Sequence, residues 1–207
     1  MKRSRKRLCI IVTTILLFGG CTVKKVPPTN LYHLSQTTTQ TEEISPSKPK
    51  FESLRVTFAN SSRVGESTSI YYIDENFKKQ PYSFSRWYDS VDSMFEAKLL
   101  LALKRSGIAE SIASSESAAD TKTVLEISIL DFAQDFSSGK PSKGRVVVLA
   151  SLIRSKDAKS MATGLFQESI PAKTEDAKGG VAALNTATEK IVNDIIEWLK
   201  EVKKSTD

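Results

Sequence analysis

Imidazole and thiol chemistry have almost no material to work with: the 207 residues include one histidine, His33, and two cysteines, Cys9 and Cys21. A Ser-His-Asp mechanism would have to recruit His33, for which the sequence offers no orienting partner. No zincin, phosphate-loop, dinucleotide or nucleophile-elbow spacing occurs. Asp131 and Asp135 stand four apart with Glu126 nearby, but carboxylates on a strand mainly face outward and make no acid–base pair. These absences lead us to expect no catalytic residue, no metal site, no cofactor and no enzymatic activity. Long apolar runs are missing too. The stretch Leu8 to Phe18 has eleven residues, well short of the about 20 that a membrane-spanning helix needs.

What the N-terminus does contain is an export signal. Lys2, Arg3, Arg5, Lys6 and Arg7 supply five positive charges ahead of that uncharged stretch, the n-region and h-region of a secretory leader. Leu17-Phe18-Gly19-Gly20-Cys21 then looks like a bacterial lipobox, with phenylalanine where leucine is usual. Small residues there let a signal peptidase reach the backbone, so residues 1–20 read as a signal peptide, cut between Gly20 and Cys21. Cys21 reads as the lipidation site. One acyl chain anchors reversibly and two signals anchor stably, so a triacylated N-terminus keeps the protein on its membrane. Thr22 stands where the inner-membrane retention signal has aspartate, which implies sorting to the outer membrane of a diderm cell.

Losing the leader changes what the charge means. The formal net charge is +6, but with the five leader cations gone 25 Lys and Arg face 24 Asp and Glu. The basic balance therefore belongs to export, and nucleic acid is not an expected partner. Cys9 leaves with the leader and Cys21 is blocked as a thioether, so neither a disulfide nor a free thiol is expected.

Residues 21–50 read as the lipidated N-terminus and a tether rich in Thr, Ser, Pro and Lys. As a coil, 29 residues would extend about 30 Å. Leu31-Tyr32-His33-Leu34 interrupts it with strand character, marking a candidate edge strand within 30–35.

From 51 to 207 the pattern is that of one α+β domain. Leu54–Phe58, Ser69–Ile73 and Tyr82–Phe84 read as strands. A helix capped by Ser85 would carry Trp87, Val91, Met94, Phe95, Leu99 and Leu103 and stop at Gly107. Val124–Phe132, Gly144–Ile153 and Ala162–Ile170 read as an antiparallel meander. A last helix over about Val181 to Lys203 aligns Leu184, Ala187, Ile191, Ile195, Trp198 and Val202 on one stripe. The expectation is a mostly antiparallel sheet with two amphipathic helices packed on one face, the other face left for water or a partner.

Aromatic residues supply the only candidate contact sites. Trp87 and Trp198 lie on helical apolar stripes, where core packing is the default and partner docking the sharper alternative. Tyr71, Tyr72, Tyr82 and Phe84 cluster on adjacent strands; any ring left on the uncovered face could meet an acyl chain or a neighbouring subunit. Tyr71, Tyr82, Trp87 and Trp198 are the candidate partner or lipid contacts.

The order of segments resembles a family. The lipobox, the Leu31–Leu34 strand, Ile70-Tyr71-Tyr72-Ile73 followed by Tyr82-Ser83-Phe84-Ser85-Arg86-Trp87, the Leu125-to-Phe136 strand and Ile195-Ile196-Glu197-Trp198-Leu199 are similar to the ABC-type transport auxiliary lipoproteins of the paraquat-inducible protein C type. The histidine in the early strand and the long Thr/Ser/Pro segment after it depart from that pattern. The resemblance implies a non-enzymatic accessory role in the cell envelope. Its implied partners are a mammalian-cell-entry-domain protein and an ABC permease and ATPase, with phospholipid or another hydrophobic molecule as cargo and homo-oligomers as an assembly state. An envelope-assembly lipoprotein, serving lipopolysaccharide or outer-membrane proteins, is the alternative, and a tethered enzyme is third.

Overall fold

The computed structural model describes residues 27–35, 48–59 and 65–202. The leader, Gly20, Cys21 and residues 36–47 lie outside the described residues. The elements are β1 (Asn30–Tyr32), β2 (Phe51–Phe58), β3 (Ser69–Ile73), β4 (Lys79–Trp87), α1 (Val91–Ser106), β5 (Ala109–Ala113), β6 (Thr123–Asp135), β7 (Lys143–Arg154), β8 (Lys159–Pro171) and α2 (Ala177–Glu201).

All eight strands join one sheet built around β6. β7 runs antiparallel to β6 from Thr123↔Arg154 to Asp135↔Lys143, and β8 runs antiparallel to β7. The other edge of β6 is shared by two strands, both parallel to it. β2 takes the first half, Leu54↔Thr123 to Phe58↔Ile127, and β3 takes the end, Tyr71↔Ala133 to Ile73↔Asp135. β5 continues the sheet beyond β2, and β4 then β1 continue it beyond β3. The sheet is therefore mixed, which corrects the expectation of a mostly antiparallel one: β1–β4, β2–β5, β2–β6 and β3–β6 are parallel pairs. The reason lies in how pairing direction is encoded. Short polar turns announce the local antiparallel pairs β3–β4, β6–β7 and β7–β8, whereas the parallel pairs join segments remote in sequence that no turn announces.

Between the two halves of that shared edge, β6 carries a bulge at Ile129/Asp131. Before it Leu125, Ile127 and Ile129 point to the core; after it Phe132 does. The extra residue restores the inward phase after a break in alternation.

Both helices lie on that inward side. α1 buries Val91, Phe95, Leu99 and Leu103 against β2 and β5, while α2 buries Leu184, Ile191, Ile195 and Leu199 against β6, β7 and β8; the helices also touch each other. Each such side chain removed from water stabilises the fold by roughly 1.5–3 kcal/mol. α1 starts at Val91, later than the Ser85 cap expected: Ser90 Oγ accepts the Ser93 amide at 3.2 Å. Residues 85–87 stay extended because β1 pairs with them in parallel, Asn30↔Ser85 to Tyr32↔Trp87. Gly107 ends the helix at φ 62°, a left-handed conformation that side-chain-bearing residues resist. α2 begins at Ala177, four residues before the expected Val181. Asp176 caps it by accepting the Gly179 amide at 2.8 Å, while Thr174 Oγ1 donates to the same carboxylate oxygen at 2.6 Å. These contacts hold the Asp176 carboxyl below its ordinary range, the Thr174 bond most of all.

The early strand-like run joins the domain. β1 lies at the sheet edge, Leu34 is buried in the core, and the Ser35 backbone is held from both helices. Lys98 Nζ of α1 donates to Ser35 O at 2.7 Å, and the Ser35 amide donates to Asn185 Oδ1 of α2 at 2.6 Å. Lys98 is only 1% exposed; burial lowers its affinity for the proton, opposed by the Glu189 carboxylate.

Candidate functional site

Strand alternation sends every second side chain of β6, β7 and β8 away from the helices. On that face Ser128, Leu149 and Leu165 form one row across the three strands, with Asp131, Val147 and Gln167 beside it. The bulge adds Leu130 between these rows. Leu130 is 50% exposed and Leu165 61%, giving an apolar island of Leu130, Leu149 and Leu165 over the buried Val147, inside a rim of Ser128, Ser151, Thr163, Gln167 and Asp131. An apolar centre with a polar rim is the anatomy of a protein-docking patch.

One end of this face is ionic. Asp131 is paired with Lys79 at 2.9 Å and Arg145 at 3.4 Å, and Arg145 reaches Asp135 at 3.8 Å. Each carboxylate is thus matched by a cation, an arrangement that ties β4, β6 and β7 together and provides no free acid–base pair. Lys79 Nζ also sits 5.6 Å from the Tyr71 ring centroid, a cation–π contact.

The four aromatic candidates end in different places. Tyr71 is half-buried on the open face beneath Lys79. Tyr82 lies on the helix side, its ring 4.9 Å from that of Tyr72, which meets Phe136 edge to face at 6.1 Å. Its hydroxyl donates to Gln134 Oε1 at 2.8 Å, and Gln134 Nε2 donates to Ser142 Oγ at 2.7 Å. Burial, followed by the charges of Asp176, Tyr72 and Glu175, pushes the Tyr82 hydroxyl well above its ordinary value and keeps it a neutral donor. Tyr72, Tyr82 and Phe136 line a cleft together with Asp74, Glu75, Asn76 and Glu175. Trp87 sits at the end of β4, 2% exposed, against Phe132 at 5.7 Å; its ring has no surface left for a partner. Trp198 is half-buried on α2 and packs edge to face on Phe166 of β8 at 5.7 Å.

His33 Nδ1 lies 3.0 Å from the Leu34 carbonyl oxygen, a local backbone contact beside β1. Among the described residues, no group of three His, Cys, Asp or Glu side chains is placed to hold a metal ion. No helix among them is long and apolar enough to cross a membrane. Cys21 and Gly20 lie outside the described residues.

The leucine island was missed by sequence reasoning, although its signal was present. Leu125, Ile127 and Ile129 alternate, then Leu130 and Phe132 break the phase, and such a break marks a bulge that turns Leu130 outward.

A family model described as an ABC-type transport auxiliary lipoprotein component matches residues 32–196. Among solved structures, protein XCC0632 from Xanthomonas campestris, described as DUF330, aligns at TM-score 0.68 and 19% identity, over 82% of this chain and 94% of that one. An uncharacterised protein aligns at TM-score 0.60 and 10% identity, over 84% and 99%. At such identities the likeness is one of fold. A comparison with curated proteins finds no significant match.

Proposed function

Because the chain belongs to the ABC-type transport auxiliary lipoprotein family, we propose that it serves as the acyl-anchored, non-enzymatic accessory component of an intermembrane lipid transport system. Membership makes it an envelope-anchored lipoprotein component of an ABC-type transporter; the finer assignments are our reading. In that reading Cys21 carries the acyl chains and residues 1–20 are removed. The protein sits on the outer membrane facing the periplasm, and a mammalian-cell-entry-domain protein fed by an ABC permease and ATPase delivers phospholipid to it. Energy comes from the ATPase, in keeping with the lack of a phosphate-binding loop in this sequence.

The observation that carries the proposal is the extent of the family match, which runs from the end of β1 to the last turns of α2 and so spans the whole fold. The open sheet face supports a docking role, and we assign the Leu130–Leu149–Leu165 island to the protein partner. The outer edge of β8, unpaired over its 13 residues among the described residues, favours homo-oligomers as part of the same proposal.

Photocrosslinking in cells from position 165 tests the reading. An adduct with a mammalian-cell-entry-domain protein is expected. Adducts with barrel-assembly or lipopolysaccharide-export components would replace the proposal with an envelope-assembly role.

A further inference from the structure

The docked N-terminal segment shortens the leash. The sequence suggests a tether running to residue 50 with a candidate edge strand within 30–35; β1 fixes the chain to the sheet at Asn30, and Leu34 is buried in the core. Asn30 follows Cys21 by only nine positions. That length spans at most ~30 Å when fully extended, and about 16 Å as a flexible coil. A domain of this size is roughly 40 Å across. The leash is therefore short compared with the domain, and the β1 corner is the part held nearest the headgroups.

That corner is also where apolar surface collects. Of the seven large apolar side chains exposed among the described residues, three, Leu31, Phe84 and Tyr88, stand on β1, on β4 and just after β4. Leu31 is 63% exposed and Tyr88 76%. Neither position is incidental to the fold: Leu31 is in register with Arg86, and the Tyr88 amide donates to Tyr32 O at 2.6 Å, which fixes Tyr88 against β1. Leu31, Tyr88, Leu34, Met94 and Ala97 line a groove of about 460 Å³ between β1 and the start of α1. Its one acid is Asp89.

We infer that this corner is a second membrane contact, in which Leu31, Phe84 and Tyr88 enter the headgroup region of the bilayer that holds the acyl chains. Tyrosine suits that depth because its ring is apolar and its hydroxyl stays wet. A short leash keeps the corner at high effective concentration against the lipid, so a contact too weak to bind alone is populated once the anchor is in place. With the corner down, the island around Leu165 on β6–β8, at the other end of the sheet from β1, is left to face the periplasm.

The inference rests on the acylation of Cys21 proposed above, and the test separates the two. Full-length protein processed in cells is reconstituted into vesicles of phosphatidylethanolamine and phosphatidylglycerol, with a benzophenone amino acid replacing Leu31, Tyr88 or, as reference, Leu165. Flotation reports anchoring, and mass spectrometry after irradiation reports lipid adducts. We expect adduct yields at 31 and 88 about tenfold above that at 165. Equal, low yields at all three positions in floated protein would overturn the membrane contact and leave acylation standing. Failure to float would refute acylation; the same variants, made as mature chains and coupled through the Cys21 thiol to a maleimide lipid, then read the contact by the same yields.

Discussion

Gly180 offers a measurement in which two ordinary effects have opposite signs. A methyl group added there would come within 2.0 Å of Gln134 Oε1 and 2.6 Å of its Cδ. Gln134 is fully buried and holds the Tyr82 hydroxyl at 2.8 Å and Ser142 Oγ at 2.7 Å. In Gly180→Ala either the first turn of α2 lifts from β6 or Gln134 swings away and leaves buried polar groups unpaired. Each unpaired group costs about 1–3 kcal/mol. Against this, alanine is favoured over glycine within a helix by about 1 kcal/mol. The net expectation is a loss of about 2–4 kcal/mol. Urea unfolding followed by far-ultraviolet circular dichroism measures it at unchanged slope. Gln134→Ala alone should also destabilise, but in the double variant the clash is gone, so the two losses should fall well short of adding. A Gly180→Ala protein as stable as the parent, or more so, would refute the close approach of α2 to β6.

Asp92 gives a pH test. Its carboxyl is raised to about 6, first by burial and then by Glu66 and Glu96. The folded state therefore binds this proton more tightly than the unfolded chain does. The stabilising contribution is full below the unfolded value near 3.8 and is lost as pH rises through about 6. Discounted for partial solvation, Asp92→Asn should gain about 1 kcal/mol at pH 7.5 and nothing at pH 4, in urea titrations at the two pH values. Lys98→Met removes the donor to Ser35 O, and hydrogen exchange should quicken across residues 30–35 while the rest of the domain keeps its protection; an unchanged rate there would show that the clamp is held elsewhere. Leu165→Asp, on the open face, should change folding stability by less than about 1 kcal/mol and abolish capture of the protein partner; retained capture would move the docking surface off the island.

Much of the fold could be read from sequence where one face is buried and a turn is local. Ser69–Ile73 was read at its observed bounds, the β6–β7–β8 meander followed from alternation broken by polar turns, and Gly107 marked the end of α1. Other features depended on contacts between distant segments. Trp87 fits a helical stripe, but pairing with β1 keeps it in a strand. β5, with the sequence Ala-Glu-Ser-Ile-Ala, carries too little alternation to be noticed and forms because β2 offers a parallel edge. The start of α2 was hidden because Gly179 and Gly180 are poor helix formers, Gly179 leaving room for the Thr174 backbone and Gly180 for Gln134 of β6. The candidate site was legible only in outline. An open sheet face was expected, but its leucine centre depends on a bulge; of the four aromatic residues singled out, Trp87 is buried and Tyr71, Tyr82 and Trp198 are half-buried.

The most direct test of the central claim is affinity purification of the tagged, acylated protein from its own membranes in mild detergent, with mass spectrometry of proteins and lipids. Co-recovery of a mammalian-cell-entry-domain protein, an ABC permease and its ATPase, together with phospholipid, is expected. Recovery of barrel-assembly or lipopolysaccharide-export components in their place would contradict it.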